Sequence, residues 1–126
     1  MSRWGPAGIY VLLILVGSSI RGLSAPPGLG GFDKVAHLLE YGVLGFLLRR
    51  ASLRPGLRGW FSALLGAGVV ATLDELYQAH VPERSSSIWD GVADLVGAGL
   101  GAGFHLLLRG KPRELEQNAA ARERRG

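Results

Sequence analysis

Long apolar stretches recur four times in this sequence, separated by short polar segments, and they constrain its fold more than any other feature. Hydrophobic residues make up 48% of the 126 positions, and the charged residues are bunched between the stretches. A helix needs about 20 mostly apolar residues to cross a bilayer. The pattern therefore predicts an all-α fold in one domain, an integral membrane bundle of four transmembrane helices.

The polar segments set the expected helix boundaries. Pro and Gly are dense in 22–31, which is typical of a loop, and Asp33 is placed to act as the N-cap of the second helix. The third helix ends in the polar sequence "DELYQ". The helices are expected at 5–20, 33–50, 59–78 and 88–108.

The first apolar stretch has a second interpretation. One Arg followed by an apolar run is also the pattern of a secretory signal peptide. A cleavage site requires small neutral residues, whereas Arg21 lies at the far end of this stretch. We therefore expect a helix that is retained in the mature protein.

The basic residues are concentrated at one end of the predicted bundle. Of the 14 Lys and Arg residues, 11 lie at the N-terminus, in 49–58 or from Arg109 onward. Four spans put both termini on one side, and cytoplasmic loops carry the excess of Lys and Arg, so both termini are predicted to be cytoplasmic. Residues 1–109 form the expected transmembrane domain. The basic cytoplasmic tail, 110–126, is expected to be either partly helical or disordered.

The position of these basic residues also bears on partners. They flank apolar runs and accompany no nucleic-acid recognition motif. Clusters of this kind anchor a protein beside an anionic lipid leaflet. The expected partners are therefore membrane lipids, and no nucleic-acid partner is expected.

Seven of the ten acidic residues fall at the opposite, outer end. Helical spacing arranges the polar residues there as one stripe on each of three helices. The stripes comprise Asp33, Lys34, His37, Glu40 and Tyr41 on the second helix, Asp74, Glu75 and Gln78 on the third, and Asp90 and Asp94 on the fourth. One carboxylate in the membrane costs roughly 2.5–3.5 kcal/mol, so the stripes are predicted to face inward into a shared polar chamber.

Three kinds of chemistry suit such a chamber. The carboxylates and one imidazole can bind a divalent cation, although no cofactor is required. His37 can act as a base, with Asp74 and Glu75 as catalytic partners. Lys34 and Arg84, with Ser87, can hold a phosphate or carboxylate.

Purely structural roles stay open beside these. His37 can simply hydrogen-bond a carboxylate of another helix. Asp74 and Glu75 can form a closed salt-bridge network with Lys34 and Arg84. Asp90 lies where a helix cap is expected.

A weak internal repeat supports a plan of two hairpins. The segments 33–42 and 90–99 are identical at five of ten positions. Both would cross the membrane in the same direction, as in a parallel repeat about an axis normal to the bilayer.

The order of these motifs resembles the VanZ-like membrane protein family. The matching residues are Asp33, Lys34, His37 and Tyr41, then Asp74, Glu75 and Gln78, then Pro82, Arg84, Ser87 and Asp90, and finally Gly97 and Gly101. Two residues depart from the family pattern: Asp94 stands where Asn is common, and Glu83 where Gly is usual. The added charge at Asp94 alters the ligand or metal preference to be expected.

The resemblance implies a multi-pass protein of the bacterial cytoplasmic membrane. The family is named after a member that gives low-level resistance to teicoplanin, and the resemblance itself supplies no mechanism. The leading hypothesis is that the outer-leaflet site binds a lipid headgroup, a cell-wall precursor or a glycopeptide antibiotic, with a role in low-level teicoplanin resistance. We expect the ligand-binding residues to be Asp33, Lys34, Glu40, Tyr41, Gln78, Arg84, Ser87, Asp90 and Asp94, of which Glu40 and Asp94 are not part of the family pattern. The rival hypothesis is a small membrane hydrolase or transferase acting on a lipid-linked substrate, with His37 and Asp74, Glu75 and Asp94. The sequence leaves the oligomeric state open.

Overall fold

A computed structural model describes residues 2–19, 30–80 and 88–126, with the backbone alone for 30–33 and 110–115. These residues form four α-helices and contain no strand. The helices are α1 (Gly5–Ser19), α2 (Gly30–Ala51), α3 (Gly56–Gln78) and α4 (Ile88–Glu123). The all-α class predicted from the sequence is confirmed.

Two helices begin earlier than the sequence pattern predicts. Because α2 begins at Gly30, Asp33 lies in the first helical turn and not at the N-cap. The third helix begins at Gly56, whose φ of +53° is accessible to glycine, directly after the extended Pro55.

Contacts between α2 and α4 show that these two helices run parallel. Lys34 pairs with Asp90 near the first residues of the two helices, and the ring of Phe46 packs against Phe104 further along both. Both helices therefore begin at the same end of the bundle.

The other two helices run in the opposite direction. The loop between α2 and α3 is short, and the indole of Trp60, near the start of α3, donates a hydrogen bond to the carbonyl of Gly99, three turns into α4 (2.9 Å). The first turns of α4, with Asp90 and Asp94, instead face the end of α3. Ser18 and Gln78, at the ends of α1 and α3, are also hydrogen-bonded (3.2 Å). We call the end where α1 and α3 terminate the acidic end, and the end where α2 terminates the arginine end.

Glycines bring α2 and α4 into backbone contact. A Cβ atom added to Gly97 would collide with the backbone of Leu38, and one added to Gly101 with the backbone of Gly42. Small residues spaced four apart allow helices to approach this closely. The prediction that Gly97 and Gly101 serve helix packing is confirmed.

The two segments of the weak repeat lie side by side in this interface. His37 and Asp94 occupy equivalent positions in 33–42 and 90–99, and they are hydrogen-bonded although 57 residues apart. Contact between equivalent residues on parallel helices is what a two-fold axis along the bundle would produce. Duplication itself stays a prediction.

Large apolar side chains point outward, and small ones fill the interior. The buried hydrophobic residues are mostly alanine: Ala7, Ile14, Tyr41, Leu44, Ala51, Ala63, Ala67, Ala71, Ala98 and Ala102. Leu12, Leu65 and Leu100 are among the exposed large residues. Apolar outer faces over a core of small residues are typical of helices packed in lipid.

Within the described residues, two helices are long and apolar enough to cross a membrane, namely α3 and the part of α4 within residues 88–109. Helix α1 is apolar but has 15 residues. Helix α2 has the length, with 22 residues, but carries charges near both ends. The described chain is therefore a helical bundle with membrane-spanning character.

The fourth helix continues far beyond its apolar part. It ends at Glu123, so the segment 110–123 has a helical backbone, one of the two alternatives left by the sequence. The side chains from Glu116 to the C-terminus are exposed. At 1.5 Å per residue, this segment extends α4 by ~21 Å past the arginine end.

Candidate ligand-binding site

Polar side chains from three helices line one crevice at the acidic end. The lining residues are His37 of α2, Ala71, Asp74, Glu75 and Gln78 of α3, and Asp90, Gly91 and Asp94 of α4. Asp74 and Gln78 are one helical turn apart, as are Asp90 and Asp94, so each pair presents its side chains on a common face. The structure thus brings together side chains that the sequence places in a shared chamber.

His37 and Asp94 join α2 to α4 in this crevice. Nδ1 of His37 lies 2.9 Å from Oδ1 of Asp94, whose residue is 5% exposed. When Nδ1 carries the proton it donates to the carboxylate, which leaves Nε2 as the basic nitrogen of the ring. This geometry serves a structural role and also that of a base with its orienting carboxylate.

Asp74 and Gln78 form a second buried group with Ser18 of α1. Nε2 of Gln78 donates to Oδ2 of Asp74 at 3.0 Å and to Oγ of Ser18 at 3.2 Å. All three residues are buried. Gln78 therefore holds α1 and α3 together, and Asp74 is positioned by a neighbour on its own helix.

Sequence reasoning missed Ser18. Its only signal is that Ser18 and Ser19 interrupt an otherwise apolar run. A buried hydroxyl needs a hydrogen-bond partner, so a serine pair at the end of an apolar helix indicates contact with another polar side chain.

Lys34 and Asp90 form a third, more exposed pair. Nζ of Lys34 lies 3.1 Å from Oδ1 of Asp90, and the Lys34 side chain is 46% exposed. Asp90 lies in the first turn of α4, where a negative charge is favourable. The ammonium group at the mouth of the crevice is thus held by a carboxylate but still open to solvent.

The crevice itself is small. Its accessible volume of ≈ 10 Å³ leaves room for about one water molecule. Glu75 is exposed beside it. Any larger ligand must therefore bind at the mouth, near Lys34 and Glu75, and not inside.

Two predicted site residues on α2 lie outside the lining of the crevice. Tyr41 is fully buried in the bundle core, and its hydroxyl has no hydrogen-bond partner among the described residues. It is close enough to Asp74 and Asp94 to interact with them electrostatically. The backbone carbonyl of Glu40 accepts a hydrogen bond from Tyr10 (3.1 Å), which connects α1 to α2.

Three further predicted residues fall outside the described side chains. Arg84 and Ser87 lie between α3 and α4, outside the described residues, and Asp33 is described by its backbone alone. Their roles stay predictions.

No metal site is evident in the part of the chain that the structure describes. Within it, no three His, Asp or Glu side chains are grouped in a way that could hold a metal ion. The divalent cation considered from the sequence stays a prediction.

A comparison with protein families matches this bundle as a whole. The sequence model of the VanZ/LLP1 family matches residues 6–109. The chain belongs to the VanZ/LLP1 family. The match contains the whole acidic end and stops where α4 leaves the bundle, and together with the two long apolar helices it indicates a membrane protein. Neither curated proteins nor solved structures provide a match.

Proposed function

We propose that this VanZ/LLP1-family protein crosses the bacterial cytoplasmic membrane with all four helices and keeps both termini in the cytoplasm. The apolar outer faces of the helices support insertion. Arg49, Arg50 and Arg54 lie at one end of the bundle, and the positive-inside rule places such an end in the cytoplasm. The acidic end then lies at the outer leaflet.

At the outer leaflet, the acidic end binds the headgroup of a phosphate-bearing lipid or lipid-linked cell-wall precursor. The observation that carries this proposal is the convergence of α2, α3 and α4 on one crevice with an exposed ammonium group at its mouth. Asp90 holds Lys34 in place, and a phosphate gains a charge-assisted hydrogen bond from it. Arg84 and Ser87, next in the chain to α4, are proposed to complete the site.

A glycopeptide antibiotic is the other occupant that the family suggests. Its ammonium groups would be attracted by Glu75 and Asp90 at the same mouth. In either case, binding at this site is the proposed route to low-level teicoplanin resistance.

A membrane hydrolase or transferase is the second candidate function. The hydrogen bond between His37 and Asp94 favours it, because a carboxylate that orients an imidazole prepares the ring to accept a proton. Asp74 and Glu75, on the facing helix, would then position a lipid-linked substrate.

The orientation is tested by thiol labelling. The chain contains no cysteine, so single cysteines can be introduced at Ile88 and Leu53, both strongly exposed at opposite ends. In spheroplasts, a membrane-impermeant maleimide should label Ile88→Cys but not Leu53→Cys, and both should react after lysis. Labelling of Leu53→Cys in intact spheroplasts would reverse the proposed orientation.

Binding is tested with the variant Lys34→Met. Native mass spectrometry of purified protein should show fewer phosphate-bearing lipids bound to Lys34→Met than to the wild type, with the matched variant Arg58→Met unchanged. Equal retention by all three proteins would refute the proposed site. For glycopeptides, the same proteins are titrated with teicoplanin.

The enzyme hypothesis is tested with a variant of His37. His37→Ala should abolish turnover of a lipid-linked substrate while folded protein and lipid retention persist. If His37→Ala merely lowers the amount of folded protein, the role of His37 is structural.

A further inference from the structure

A large basic cavity lies at the arginine end, far from the crevice described above. Its volume is ≈ 450 Å³, within the range of small-ligand sites. Its lining includes five arginines and a histidine: Arg3, Arg49, Arg50, Arg54, Arg109 and His105. No carboxylate is among the described residues that line it. A cavity with this charge favours an anion.

Among the arginines that line the cavity, Arg49 is buried and held in place by its neighbours. It is 8% exposed, and its guanidinium group lies against Gly59 at the start of α3, so closely that a Cβ atom on Gly59 would be 2.7 Å from Cζ of Arg49. Its Nε atom has no hydrogen-bond partner among the described residues. Leaving such a donor unpaired is costly, which indicates a missing acceptor.

His105 contributes a second buried polar atom from α4. It is 7% exposed, and its Nδ1 atom has no partner within the described part of the chain. The ring stands edge-on to Phe46, with centroids 5.0 Å apart. Packing against Phe46 restricts the ring, so His105 lines the cavity in a defined orientation.

The start of α3 adds backbone N–H groups that have no side-chain cap. Pro55 and Gly56 line the cavity, and Pro55, at the N-cap position, provides no side-chain hydrogen bond to the first turn. The first N–H groups of a helix and the positive end of its dipole attract anions. Helix terminus, buried guanidinium and exposed arginines therefore all favour the same kind of ligand.

We propose that this cavity is a binding site for a phosphate group. Guanidinium groups match the geometry of phosphate oxygens and bind them through paired hydrogen bonds, so five arginines favour phosphate over a smaller or singly charged anion. The phosphate belongs either to an anionic phospholipid of the adjacent leaflet or to a soluble phosphate compound. The site is independent of the function proposed for the acidic end.

The variants for the test separate a built site from general attraction to an anionic surface. Arg49→Gln removes the buried donor, and Arg54→Gln removes an exposed donor of the same cavity. Arg58→Gln removes an exposed arginine near the start of α3 that does not line it. All three change the net charge equally. Circular dichroism of each variant in detergent checks that the helices persist.

Two arms identify the source of the phosphate. The full chain in neutral detergent is titrated with inorganic phosphate, and nanodiscs of phosphatidylcholine with or without phosphatidylglycerol are compared by native mass spectrometry for retained lipid. Wild type should bind in at least one arm. Arg49→Gln and Arg54→Gln should each weaken that binding by about tenfold, the value of one charge-assisted hydrogen bond, and Arg58→Gln should not.

The arms give distinct outcomes. Phosphatidylglycerol retained without a response to inorganic phosphate assigns the site to a lipid headgroup, and a saturable response to inorganic phosphate assigns it to a soluble anion. Absence of binding in both arms overturns the proposal. So does an equal loss in Arg54→Gln and Arg58→Gln, because it shows surface attraction only. If Arg49→Gln does not fold, the comparison of Arg54→Gln with Arg58→Gln decides.

Discussion

The acidic end pairs polar side chains across helices, Lys34 with Asp90 and His37 with Asp94, whereas the arginine end leaves like charges around an open cavity. At the acidic end the space between the helices is ≈ 10 Å³, and at the arginine end it is ≈ 450 Å³. Opposite charges draw helices together, and like charges need solvent or an anion between them. The same four helices therefore pack closely at the acidic end, called the closed end below, and surround a cavity at the arginine end, called the open end.

The difference indicates which contacts stabilise the fold. Pairs at the acidic end connect α2 with α4, and Gln78 connects α1 with α3. The arginine end depends instead on contacts between uncharged groups, such as the hydrogen bond from the Trp60 indole to the backbone of α4 and the one between the Ser52 and Ser62 hydroxyls. The predictions that follow test this division.

The largest expected effect is on the packing of α2 against α4, which both ends of the bundle share. Gly101→Ala places a methyl group into the backbone of Gly42, so α2 and α4 must separate. We expect a loss of about 3 kcal/mol in the free energy of unfolding. Gly103→Ala is the matched control, because its Cβ atom would lie 3.7 Å from the Trp60 indole, an ordinary contact. Unfolding by SDS in mixed micelles measures both; similar stability of the two variants would contradict the packing described.

The second prediction concerns the closed end alone. His37→Leu leaves the buried Asp94 carboxylate without its imidazole partner, and we expect a loss of about 2–3 kcal/mol. The double variant His37→Leu, Asp94→Leu removes both polar groups and should recover at least half of that loss. If the double variant is no more stable than His37→Leu, the pair does not stabilise the bundle. The same SDS titration applies.

These two contacts also show how far sequence reasoning reaches. Helical spacing was enough to predict that His37, Asp74 and Asp94 face one interior, because burial of charges in an apolar bundle leaves few alternatives. Glycines at four-residue spacing likewise predicted the close approach of helices. Both predictions depend on periodicity within single helices.

The contacts that the sequence does not predict depend on how each helix is rotated about its own axis relative to its neighbours. The contact of Ser18 with Gln78 depends on the rotation of α1 about its axis, and Tyr41 is a residue of the buried core and not of the crevice lining. The Arg49 side chain is buried because Gly59 leaves room for it, a relation between two helices. No pattern within one helix specifies such a fit, so the sequence alone indicates only leaflet anchors for the arginines of this end.

The third prediction concerns the open end. Arg50 and Arg54 are exposed and line the same cavity, so their charges repel those of Arg3 and Arg109. In neutral detergent at low salt, Arg50→Gln with Arg54→Gln should raise the free energy of unfolding by about 0.5–1 kcal/mol. The gain should vanish at high NaCl, where the repulsion is screened.

A matched control tests whether this gain is local. Arg122→Gln with Arg124→Gln removes the same charge from the exposed end of α4 and should leave stability unchanged at both salt concentrations. Thermal unfolding followed by tryptophan fluorescence compares the two double variants. A destabilised Arg50, Arg54 variant would show that these arginines have stabilising partners.

The smallest expected effect distinguishes the exposed pair from the buried ones at the acidic end. Because the Lys34 side chain is 46% exposed, Lys34→Met should lower the free energy of unfolding by about 0.5 kcal/mol, although its ammonium group lies 3.1 Å from Asp90. The loss should shrink as NaCl screens the pair, unlike the loss in His37→Leu, whose partner is buried. A loss as large as that of His37→Leu in the same SDS titration would mean that Lys34 holds the closed end together. A small loss would mean that the pair with Asp90 contributes little to stability, because water solvates the separated ammonium and carboxylate groups almost as well. The Lys34 ammonium group can then contact a ligand at little cost to the fold.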